Sequence, residues 1–498
     1  MQHIMIKSLH SIIILFFIAA GSFAQSKEHV VMIFDLSDQQ RQELSQTLSV
    51  DHGFHRWGML RVYVSDKDLI DLRLKGYHLM ELPHPGQKKY VEMGMLTGKT
   101  TEPDWSVYPT YPEYLQLMQD FATDFPDKVR LVDIGDTQLG RELWVLKISD
   151  NPDVDEDEPE VFYSSTMHGD ETTGYPMLLH FVWDMLHDYG SDAQMTALVD
   201  NLEIWVNPLA NPDGTYMNDD STVNGANRGF SDGRDPNRDF PDPRLGEHPE
   251  YNIDDYAIET QAMMSFTENH HFIVSANFHG GAEVFNYPWD TWCAVRVGCG
   301  VLKSHPDEPW YQSIGHHYAD QAQADGVVAG LVNYMTSFDD GITNGGDWYI
   351  VAGGRQDYMN YWQHSREVTI ELSNDKMVPG GSLPAYYQAN KQPLIDYLNQ
   401  SLGGVRGVVV DGLCRPLDAV ISLTGLESDG SEAVTDPVVG DYHRVAVPGS
   451  YTVNVSSNAY VSQSFSNVVV SQGNATRLDV SLNIPGQIMI SGFEENCF

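Results

Sequence analysis

Residues 29–34, 59–64 and 77–82 are short runs rich in branched and aromatic apolar side chains, which predicts three strands. Residues 38–48 and 66–74, between them, carry the composition and spacing of helices. That order predicts a small α+β unit over 25–83, followed by a polar linker over 84–103 that carries the pair Lys88-Lys89. From 104 to 402 the pattern changes to buried strands alternating with helices. Leu143-Trp144-Val145-Leu146, Val161-Phe162-Tyr163, 202–206, 272–276 and 368–372 read as strands, while Met177, Leu178, Phe181, Val182, Met185 and Leu186 recur at helical spacing. This predicts one large mixed sheet with helices on both faces. Past Gly403, alternating strands separated by Gly, Pro and Asp turns predict an all-β sandwich over 403–483, with a tail over 484–498. The expected fold class is therefore α/β, preceded by a small α+β domain and followed by a β-sandwich.

Length and charge narrow the picture. At 498 residues the chain exceeds one ordinary domain. A formal net charge of -41 repels nucleic acid and anionic membrane, and attracts cationic partners. Lys7, the apolar run 12–20 and Ser22-Phe23-Ala24 read as a signal peptide over 1–24. The apolar run is shorter than the roughly 20 residues a membrane span needs, so the expected product is exported, secreted or periplasmic. Of the four cysteines, Cys293 and Cys299 are spaced to close a small loop, and a Cys414–Cys497 link stays open. Their spacing matches no zinc cluster, so a metal must be held by His and carboxylate.

Three side chains stand at strand ends, where open α/β sheets build their sites. His168-Gly-Asp-Glu171 follows the strand that begins at Glu160, and His279 ends another strand before Gly280-Gly281. One Glu and two His make a three-ligand zinc set that leaves one position open. Glu371 interrupts the apolar strand Val368-Thr369-Ile370-Glu371-Leu372. A carboxylate there costs stability unless it is paired or functional, and as general base it would deprotonate water. A polar strand cap for His279 and a structural salt bridge for Glu371 are the alternatives. His180, His187, His270 and His271 lack such context and read as surface or packing residues.

These blocks, with Asn211-Pro-Asp-Gly214, Arg228, Asp235-Pro-Asn237-Arg238-Asp-Phe-Pro241, His279-Gly-Gly281, Tyr349, Gly353-Gly354 and Thr369-Ile-Glu371-Leu372 in order, make residues 108–402 resemble the zinc carboxypeptidases of the carboxypeptidase A type. They are closest to the regulatory branch that includes carboxypeptidases N, E and D. The resemblance implies one Zn2+ on His168, Glu171 and His279, with Glu371 as general base and Arg228 polarising the scissile carbonyl. It implies Asn237 and Arg238 as the clamp for the substrate carboxylate, Tyr349 as a tyrosine closing over peptide, and Asp235 as the carboxylate orienting His168. Asp290 and Gln356 lie where that branch lines its side-chain pocket, implying preference for C-terminal Arg or Lys. Asp170, Pro236 and Asp239 depart from the commoner residues of the branch. The sandwich resembles the transthyretin-like domain of the branch, and 25–83 resembles in layout the pro-segments of secreted carboxypeptidases, which would cover the cleft until cleavage near Lys88-Lys89. The expected partners are peptides or proteins with a free C-terminus. The rival readings are a zinc amidase acting on cell-wall peptides and an inactive exported binding protein on the same fold.

Overall fold

The chain is built around an eight-stranded mixed sheet, seen in a computed structural model that describes residues 27–45, 47–54, 58–87, 91–95, 102–245, 255–292, 303–485 and 497. Residues 1–24, read as a signal peptide, and Lys88-Lys89, Cys293 and Cys299 fall outside the described residues.

Four strands come first: β1 (Glu28–Phe34), β2 (Ser49–Phe54), β3 (Met59–Ser65) and β4 (His78–Leu82), in the order β2-β3-β1-β4, with helices Asp38–Ser45 and Asp66–Leu74. The helix expected to reach 48 stops at Ser45, and β2 is a strand the sequence reading did not anticipate. Its near end, Ser49-Val50-Asp51, is polar on both sides of one valine, so it carries no clear half-buried alternation. Val31, Ile33, Val50, Leu60, Val62, Leu69 and Leu72 close a small core of their own.

The large sheet holds β5 (Val129–Asp136), β6 (Glu142–Ile148), β7 (Glu160–Ser165), β8 (Glu203–Asn207), β9 (Phe272–His279), β10 (Glu283–Tyr287), β11 (Ile342–Asn344) and β12 (Arg366–Leu372), ordered β11-β10-β12-β9-β7-β8-β6-β5. The central run β12, β9, β7, β8 is parallel. Both faces of β7 are buried. Val161 and Tyr163 join the core under helices Gly174–His187 and Leu383–Leu398, while Phe162 on the other face packs with Phe266, Phe272 and Tyr358. Each such side chain contributes roughly 1.5–3 kcal/mol by leaving water. The stretch expected to be a plain linker is partly built into this body. Pro85 and Gly86 are buried, and Met95 joins the core beside Trp105 and Tyr108.

Eight further strands form the sandwich as two four-stranded sheets: β13 (Val405–Asp411), β14 (Val420–Leu423), β15 (Ala433–Val434), β16 (Asp441–Arg444), β17 (Gly449–Ser456), β18 (Gln463–Val470), β19 (Thr476–Arg477) and β20 (Val480–Leu482). A disulfide joins Cys414 to Cys497, so the tail is tethered to the sandwich. The sandwich is locked to the sheet body through charge. Asp307 receives Arg366 at 2.8 Å and Arg444 at 3.0 Å, and Arg444 also reaches Glu427 at 3.0 Å. Arg444 is 1% exposed, so removing it strands buried carboxylates. Arg444→Leu is expected to lower stability by about 3 kcal/mol in urea denaturation. A loss below about 0.5 kcal/mol would show that this pair does not hold the seam.

Candidate active site

His168 stands three residues past the end of β7, in a turn tied by Glu171 N donating to His168 O (3.0 Å) and Thr166 Oγ1 donating to Glu171 O (3.0 Å). The turn needs Gly169. A Cβ there would meet backbone atoms of Gly214 and Thr215 at 2.4 and 2.5 Å, closer than any side chain tolerates. His279 is the last residue of β9, and in the parallel register β12 sets Glu371 directly beside it. Strand pairing alone therefore brings a candidate ligand and the candidate base together.

His168 Nδ1, His279 Nδ1 and Glu171 Oε2 converge, with separations of 3.0, 2.8 and 3.1 Å among the three atoms. Tetrahedral zinc with bonds of about 2.0–2.1 Å sets its ligand atoms about 3.3 Å apart, so the cluster has the right span. The outer nitrogens are spoken for. His168 Nε2 donates to Asp235 Oδ1 (3.0 Å), which leaves Nδ1 a bare lone pair. The Asn277 amide lies 2.8 Å from His279 Nε2, and its own Oδ1 has no partner. Turned by 180°, Oδ1 accepts from Nε2–H, and the His279 Nδ1 lone pair faces the cluster. Burial pushes His279 down to about 4, so the imidazole is neutral as a ligand must be. Against burial, His168 and Lys376 hold the Glu171 carboxyl well below its usual range. The donor set fits a zinc ion.

Glu371 is 8% exposed and its Oε2 has no hydrogen-bond partner. Burial and the neighbouring Glu171 charge raise its carboxyl well above the ordinary value. Arg228 lies 3% exposed, donating to Glu171 Oε1 (2.9 Å) and to Asp235 Oδ2 (3.2 Å). Asp235 caps the short 3-10 turn Pro236–Arg238 by accepting from Asn237 N (2.9 Å). That turn carries Asn237 and Arg238 toward the cleft, with Asn237 Oδ1 accepting from Arg355 N (2.9 Å).

A second buried carboxylate forms the floor. Asp290 Oδ1 accepts from Gln356 Nε2 (3.0 Å) and Asn286 Nδ2 (3.1 Å). Burial pushes the Asp290 carboxyl up to about 6. Gly345 leaves it room, since a Cβ there would come within 1.7 Å of Asp290 Oδ1. His168, Glu171, Arg228, Asn237, His279, Asp290, Tyr349 and Glu371 line one cavity, reduced here to about 20 Å3. Asp235 and Arg238 line an adjoining groove of about 570 Å3, and Gln356 stands behind Asp290.

The cavity is small because β2 and β3 fill it. Arg228 Nε donates to Ser49 Oγ (2.9 Å), Arg238 Nη2 donates to Val50 O (3.1 Å), and Asp51 Oδ1 receives Lys376 Nζ (2.7 Å) with Arg228 Nη1 at 3.7 Å. Tyr63 OH donates to Asp170 Oδ2 (2.8 Å), and Tyr349 packs against the core of the small N-terminal sheet. Sequence reasoning missed Asp51, Lys376, Asn277 and Asn286. Lys376 is 4% exposed, with Nζ 2.5 Å from Glu171 Oε1. The available signal was its place five residues past Glu371, a cation at the end of a strand already singled out.

The pattern of the zinc carboxypeptidases matches residues 114–393. Human carboxypeptidase D is 35% identical over 357 residues, which cover 70% of this chain and 25% of that protein. The catalytic chain of human carboxypeptidase N is 32% identical over 380 residues, covering 70% of this chain and 80% of that protein. Mouse carboxypeptidase M is 33% identical over 350 residues, covering 68% and 76%. The chain thus spans about a quarter of the length of the carboxypeptidase D relatives. The solved carboxypeptidase A from Helicoverpa armigera superposes with a TM-score of 0.52 at 17% identity, covering 75% of this chain and 98% of that one, a likeness of fold.

Proposed function

The chain belongs to the zinc carboxypeptidase family, and from that premise we propose that it is an exported enzyme that hydrolyses the last peptide bond of peptides or proteins, with preference for C-terminal Arg or Lys. The observation that supports this most is the in-register pairing of His279 with Glu371, beside two further donors whose lone pairs converge. His168, Glu171 and His279 would hold a zinc ion, which would supply Lewis acidity and lower the pKa of water to about 7.

The remaining work falls to the side chains. Glu371 takes a proton from the attacking water and passes it to the leaving amine. Its raised pKa suits both halves of that exchange. Arg228 donates to the carbonyl oxygen as negative charge develops there. Asn237 and Arg238 hold the substrate's terminal carboxylate, which makes the reaction an exopeptidase one. Tyr349 closes over the bound residue, and Asp235 keeps His168 in the ligating tautomer. Asp290, oriented by Gln356 and Asn286, faces a basic side chain.

The N-terminal α+β unit, read as a pro-segment, keeps the enzyme latent by setting β2 across these groups, and cleavage in 84–103 releases it. No described helix is long and apolar enough to cross a membrane. The sandwich, read as transthyretin-like, serves as a rigid support.

The specificity reading has a pH test. With its pKa at about 6, Asp290 is ionised at pH 7.5 and mostly neutral at pH 5. The kcat/KM ratio for peptides ending in Arg over matched peptides ending in Leu should fall roughly tenfold between pH 7.5 and 5. In Asp290→Asn the ratio should be low and flat. A ratio that ignores both pH and the substitution would discard the pocket while leaving the hydrolytic reading intact.

A further inference from the structure

The strands that carry the candidate active site also reach a second cluster at their opposite ends. β7 begins at Glu160 and β9 at Phe272, and at about 3.3 Å per residue the far end of β9 lies about 23 Å from His279. There the loop before β7 meets β16 of the sandwich. Asp157, Asp441 and His443 each offer a donor atom, and those atoms lie within 4.8 Å of one another. Asp441 and His443 are 6% and 4% exposed. Asp157 is fixed in place by Arg406 Nη2 on Oδ1 (3.1 Å) and Arg477 Nη1 on Oδ2 (2.7 Å).

His443 carries the argument past a mere group of carboxylates. Its Nε2 sits 3.0 Å from Asp441 Oδ2, and its buried Nδ1 has no partner at all. Both residues line a cavity of about 10 Å3, room for a single water or ion, together with Asp155, Glu158, Glu160 and Asp436. His271, which read as an ordinary packing residue, lies on the same wall and pairs with Asp436 at 3.1 Å.

So many enclosed carboxylates need either protons or a cation. Two carboxylates and a buried imidazole with an unpartnered nitrogen are gathered here. An imidazole beside carboxylates suits a borderline divalent ion, whereas calcium asks for six or more oxygens.

We propose that Asp157, Asp441 and His443 form a second divalent-cation site of the zinc class, which ties the sandwich to the sheet body at the end remote from the candidate active site. The ion would bind all three donors. The site does not depend on the chain being a peptidase, and its test reads metal content and melting rather than turnover.

The test uses the full chain, loaded with Zn2+, dialysed against buffer holding a weak zinc competitor, and assayed for metal by mass spectrometry. The wild type should retain two zinc ions per chain. His443→Asn and Asp441→Asn should each retain one, with peptide hydrolysis unchanged. Added Zn2+ should raise the melting temperature of the chelator-treated wild type in two separate steps and that of each variant in one. A wild type that holds a single zinc overturns the proposal, whether or not the variants fold. So does a second zinc that survives in both variants, which would place it elsewhere on this acidic surface.

Discussion

Glu371→Gln is expected to lower kcat about a thousandfold while leaving zinc content and melting temperature near those of the parent. General base removal typically costs 10²–10⁴ in rate, and Gln preserves the shape while losing the proton shuttle. The structure makes the substitution unusually clean. Glu371 Oε2 has no partner to lose, and the residue is held by β9 and β10 through backbone pairing that an amide does not disturb. Burial and Glu171 already hold the carboxyl well above its usual value, so the parent tolerates a neutral group there. KM for a C-terminal Arg substrate should change little, because Asn237 and Arg238, the proposed carboxylate clamp, and Asp290 are untouched. A variant that keeps more than about a tenth of parental kcat would assign the base elsewhere.

The intact chain is expected to be at least a hundredfold less active than the chain cleaved within 84–103. Ser49, Val50 and Asp51 occupy Arg228, Arg238 and Lys376, three cations that converge on the cleft, and the cavity beside the ligands shrinks to about 20 Å3. A peptide substrate must displace these contacts to reach Arg228 and Arg238. Truncating one partner of a buried charge pair commonly costs 2–5 kcal/mol, so Asp51→Ala in the uncleaved chain should raise its activity by about tenfold or more. Both comparisons are read as kcat/KM on one Arg-ending peptide, with cleavage followed on a gel. Equal activity before and after cleavage would show that β2 leaves the cleft too readily to act as a plug.

What the sequence made legible follows from what its side chains announce locally. Glu371 was visible because a carboxylate breaks the apolar run Val368–Leu372, His168 because it follows a strand into an acidic turn, and His279 because it ends a strand before glycine. That there is one large sheet followed from strands such as Val161-Phe162-Tyr163 that are apolar on both faces, while β5, β10 and β11 were not read. Asp51 was invisible for the opposite reason. In a chain with 70 acidic residues it reads as one more surface charge, and its partner Lys376 lies 325 positions away. β2 was missed with it, since its burial comes from the cleft it enters rather than from its own pattern. Met95 escaped likewise. It sits in a stretch of linker composition, yet its own side chain is fully buried beside Tyr108. The sequence reading singled out no role for His443, and only the meeting of β16 with the loop before β7 gives it carboxylate neighbours.

The most direct test of hydrolysis at a free C-terminus uses the cleaved, zinc-loaded chain. One peptide ending in Arg is offered as the free acid and as the C-terminal amide, with and without a zinc chelator, and products are weighed by mass spectrometry. The account predicts loss of a single Arg from the acid alone, abolished by chelator and restored by added Zn2+. Equal cleavage of the amide, cuts inside the peptide, or no product from either form would contradict it.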